Sequence, residues 1–131
     1  MYDPPSPPEI LAAVARFLKE EVAPATAGHL SFQARVAANA LEMMRRQLEL
    51  GPPEEDAERA RLKSLLGMDG DLLALTSELS RRIAAGEADL STPGLADHLW
   101  ATALAKMAVD QPSYAAYRAS LTERGPANDE R

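Results

Sequence analysis

The sequence contains no cysteine, which excludes disulfides, thiolate nucleophiles and cysteine-ligated metals together and fits a reducing compartment such as the cytoplasm. Aromatic residues are scarce, with two Phe, three Tyr and one Trp in 131 residues. An aliphatic, alanine- and leucine-rich interior is the consequence, and it favours closely packed helices over sheets filled by branched and aromatic side chains. Basic residues are outnumbered, fourteen against twenty acidic, for a formal charge of −6. That sign disfavours phosphate backbones and anionic membranes as partners. Every apolar run is short and interrupted by charge, so no membrane span is expected, and MYDPPSPPEI lacks the basic patch and apolar run of a signal peptide.

Motifs for familiar chemistry are missing as well. Neither GxxxxGK[ST] nor GxGxxG occurs to cradle phosphates, and no GxSxG elbow presents a serine nucleophile. Asp69-Gly70-Asp71 resembles the start of a calcium loop, but Leu73 occupies a ligand position and the glycine comes too early. A di-iron bundle needs Glu-x-x-His pairs, and neither His29 nor His98 has a glutamate three residues before it. Two isolated histidines do not complete a zinc site by themselves. No metal and no cofactor is expected.

What is present reads as a succession of helices. Ser6-Pro7-Pro8-Glu9 is a capping box with proline at the first helical position. Ile10, Leu11, Val14, Phe17, Leu18 and Val22 then form an apolar stripe that Pro24 is expected to end. A long central helix follows from about Ser31 to Leu50, closed by Gly51-Pro52-Pro53. A third begins in the acidic PPEEDAE segment and stops before Gly67, and a fourth spans about Asp71 to Ala85. A fifth opens at Thr92-Pro93 and reaches about Val109, and SYAAYRASL supplies a short sixth. No stretch alternates as a strand does. The expectation is an all-α protein, a single antiparallel bundle of four to five helices plus a short C-terminal helix, with one domain over 1–121 and a disordered tail over 122–131.

Polar residues interrupt the two most apolar helices. His98, Thr102, Lys106 and Asp110 follow at steps of four, and Arg35 and Asn39 make a second row beside Phe32, Val36 and Met43. If the rows face each other, Arg35 meets Asp110, and Asn39 bridges Lys106 or Thr102. One reading is a satisfied network that fixes helix register. The other is a pocket in which Arg35 and Lys106 hold an anionic ligand, a carboxylate or phosphate, with Asn39 and Thr102 supplying hydrogen bonds. His98 reads as a capping or core residue, with a general base at His98 or Asp110 as the weaker alternative.

The stretches EILAAVARFLKEEVAP, FQARVAANALEMMRRQLELGP and LWATALAKMAVDQPSY, in this order, resemble a family of small uncharacterised bacterial proteins, a domain of unknown function, from about Pro8 to Tyr117. Its members are similar in context to proteins encoded beside, or fused to, aminoglycoside-phosphotransferase-like kinases and acyl-CoA dehydrogenases. The resemblance implies an accessory role in acyl-CoA or hydroxy-acid catabolism, with such a kinase or dehydrogenase as partner, and the lack of any complete catalytic set makes a non-catalytic role the expectation. It assigns no catalytic residue. The alternative is a small-molecule-binding domain that holds an acyl-CoA or carboxylate through Arg35 and Lys106, and homodimerisation is compatible with either.

Overall fold

The computed structural model describes residues 3–123, and these form five helices and no strand. The architecture is all-α, as the composition requires. The chain divides into two compact units, with the boundary between Pro52 and Pro53, where a single domain over 1–121 is expected from the sequence. Residues 124–131 of the expected tail lie outside the described residues, and Thr122 and Glu123 belong to the last helix.

Unit 1 opens with helix α1, Pro7–Phe17, whose start is set by the capping box: the Ser6 amide donates to the Glu9 carboxylate at 2.7 Å. That bond holds the Glu9 carboxyl below its ordinary pKa. Pro24 does not stop the chain where the sequence suggests. The backbone instead widens into a π-turn over Leu18–Val22 and closes with one further turn, Ala23–Ala25. Proline lacks the amide that the regular ladder needs, and a wider turn just ahead of it absorbs the mismatch. The Thr26 hydroxyl then donates to the Val22 carbonyl at 2.8 Å, supplying a partner at the helix end.

Helix α2 runs from Gly28 to Leu66, through the Gly51-Pro52-Pro53 stretch that reads as a terminator. Two prolines remove two amide donors and cost a helix interior about 3 kcal/mol apiece. Gly51 lessens the penalty, since it has no Cβ to meet the Pro52 ring. The sequence break thus marks the boundary between units rather than the end of a helix. In unit 1 the Ser31 hydroxyl, buried near the start of α2, donates to the Ala23 carbonyl at 2.8 Å. The other buried side chains of this unit are alanines: Ala15, Ala23, Ala34 and Ala38.

Unit 2 takes the C-terminal part of α2, then α3 (Leu72–Ala84), α4 (Leu95–Asp110) and α5 (Ala115–Glu123). Gly67, at φ +65°, provides the left-handed residue that ends α2, its amide returning to the Lys63 carbonyl at 3.0 Å. Asp71 caps α3 by accepting from the Ala74 amide at 2.7 Å. The start of α4 falls later than Thr92-Pro93. Thr92 spends its hydroxyl on the Asp89 amide and its carbonyl on Leu95, which leaves Gly94, at φ +86°, as the cap. The core consists of Leu62, Leu66, Leu75, Leu79, Ala88 and Leu95, with Leu65 and Leu72 packed against it. At its edge Arg82 donates to the Leu66 carbonyl at 3.3 Å and pairs with Glu78 at 2.8 Å. Arg81 and Arg82 together pull the Glu78 carboxyl down to about 2.

Candidate functional site: a buried histidine and a half-buried arginine in unit 2

Leu62, Leu66 and Leu95 anchor the inner faces of α2 and α4 in unit 2. Helical spacing then carries Arg61, beside Leu62, and His98 and Thr102, one and two turns beyond Leu95, toward the same interior. His98 is only 4% exposed. Arg61 and Thr102 are half-buried, and the Arg61 Nη2 donates to Thr102 Oγ1 at 3.4 Å, a long bond. Glu58, one turn before Arg61, is half-buried as well.

The electrostatics favour a neutral imidazole. Burial lowers the His98 pKa first, the Arg61 guanidinium lowers it further, and Glu58 opposes both. Two buried polar atoms remain without a hydrogen-bond partner among the described residues, Nε of Arg61 and Nδ1 of His98. Arginine Nε is always a donor, while Nδ1 of a neutral imidazole protonated at Nδ1 rather than Nε2 is a donor too, and with the proton on Nε2 it is an acceptor. In the second tautomer Arg61 Nε calls for an acceptor and His98 Nδ1 for a donor, and a water or an alcohol hydroxyl can play either part. A bare carboxylate then answers only the arginine.

Of the six residues singled out from the sequence, the structure brings His98 and Thr102 into this cluster. Arg35, Asn39, Lys106 and Asp110 are all exposed. A register-fixing network and a desolvated anion pocket both depend on burial to strengthen their interactions, and these four side chains lack it. Arg61 is the residue that sequence reasoning missed. Its signal was weak: an arginine within RARLKSLL, immediately before a leucine. Among the described residues no group of three His, Asp or Glu side chains could hold a metal ion, and no helix is long and apolar enough to cross a membrane.

Helices, a leucine core and a small buried polar cluster define a class, an all-α helical protein, and no particular chemistry. The comparison with families is more specific: residues 24–114 match the family described as "Domain of unknown function (DUF6285)". The match covers more than half of the chain, and the chain belongs to that family. No curated protein and no solved structure matches it.

Proposed function

We propose that this chain is a non-catalytic accessory protein whose work is to dock other proteins. The observation behind this reading is in unit 1, where among the described residues no large apolar side chain is buried and ten are exposed: Ile10, Val14, Phe17, Leu30, Phe32, Val36, Met43, Met44, Leu48 and Leu50. Single exposed leucines are ordinary on any protein; ten exposed large apolar side chains in one unit, with Leu11, Leu18, Val22 and Leu41 only half-buried, suit a surface that another chain covers. The resemblance supports a phosphotransferase-like kinase or an acyl-CoA dehydrogenase as partner, and the lack of cysteine fits a cytoplasmic setting. The test is co-purification of the full chain with a phosphotransferase-like kinase and with an acyl-CoA dehydrogenase, followed by assay of each enzyme with and without it. A stable complex or an altered rate is expected. Failure to bind either enzyme, with both rates unchanged, would remove the accessory reading.

A second reading, small-ligand binding, is favoured by the two unpartnered atoms at Arg61 and His98. They fit a hydroxyl-bearing ligand, such as a hydroxy acid or a hydroxyacyl thioester, better than a plain carboxylate held by Arg35 and Lys106. Thermal-shift measurements with hydroxy acids and acyl-CoAs decide it. A ligand at about 100 times its dissociation constant stabilises the fold by about 2.7 kcal/mol. The shift is expected to disappear in Arg61→Met, and a panel without any shift counts against the reading.

A further inference from the structure

We draw no further inference here: the strongest candidate, the exposed apolar stripe of Phe32, Val36, Met43 and Leu50 along the unit 1 part of α2, carries none because nothing in the structure shows what covers it.

Discussion

The two units bury different things. Unit 2 closes over five leucines and an alanine, and unit 1 over four alanines and a serine. A fully buried leucine is worth about 1.5–3 kcal/mol in transfer from water, and a single methylene about 0.8. Unit 2 therefore carries a core of the ordinary kind. Unit 1 gains from its buried alanines and from the Ser31 bond to Ala23, and leaves ten of its larger apolar side chains exposed. Both units expose large apolar side chains, Leu73 and Leu90 of unit 2 among them, and the difference is that unit 2 also buries five leucines whereas no large apolar side chain among the described residues of unit 1 is fully buried.

The comparison breaks most readily at Leu75, which is 0% exposed in the middle of the unit 2 core. Leu75→Ala is expected to cost about 2–5 kcal/mol, the transfer loss plus an unfilled cavity, measured by urea denaturation. The matching truncation in unit 1, Val36→Ala, opens no cavity in the single chain. With Val36 half exposed, its cost is expected to be within about 0.5 kcal/mol, and an equal loss at both positions would erase the distinction between the units. A smaller effect tests the alanine interior from the other side. Ala38 is 1% exposed, so Ala38→Leu is expected to destabilise by about 1–3 kcal/mol through overpacking. A neutral result in the same denaturation experiment would mean that unit 1 has room for a larger core.

The local features were legible in the sequence and the long-range ones were not. Ser6 with Glu9, Asp71 ahead of α3, and Gly67 beyond α2 each act within a few residues, so spacing alone locates them. Gly51-Pro52-Pro53 carries an equally strong local signal and misleads, because a helix with packing on either side of the break can absorb a penalty that would end an isolated one. The Arg61 to Thr102 bond joins residues 41 apart, and no periodicity specifies which turn of one helix meets which turn of another. Arg35 and Asn39 are instructive in a different way. Their position beside Phe32, Val36 and Met43 is evident from the sequence, yet an apolar stripe states only that something covers it, whether the same chain or another.

The smallest effect concerns His98, where unit 2 departs from a purely apolar interior. Its pKa is lowered from 6.5, chiefly by burial and then by Arg61, so between that lowered value and 6.5 the unfolded chain binds more protons than the folded one. Stability then rises with pH across the window and falls as the solution is acidified through 6.5, with the full loss reached below the folded pKa. Above the window the histidine contributes no slope. His98→Gln removes the titration while keeping hydrogen-bonding capacity, and is expected to flatten the dependence of unfolding free energy between about pH 7 and 5. Denaturation series at several pH values for the two proteins measure the difference directly. Parallel curves through that interval would mean that the imidazole is solvated in the native state.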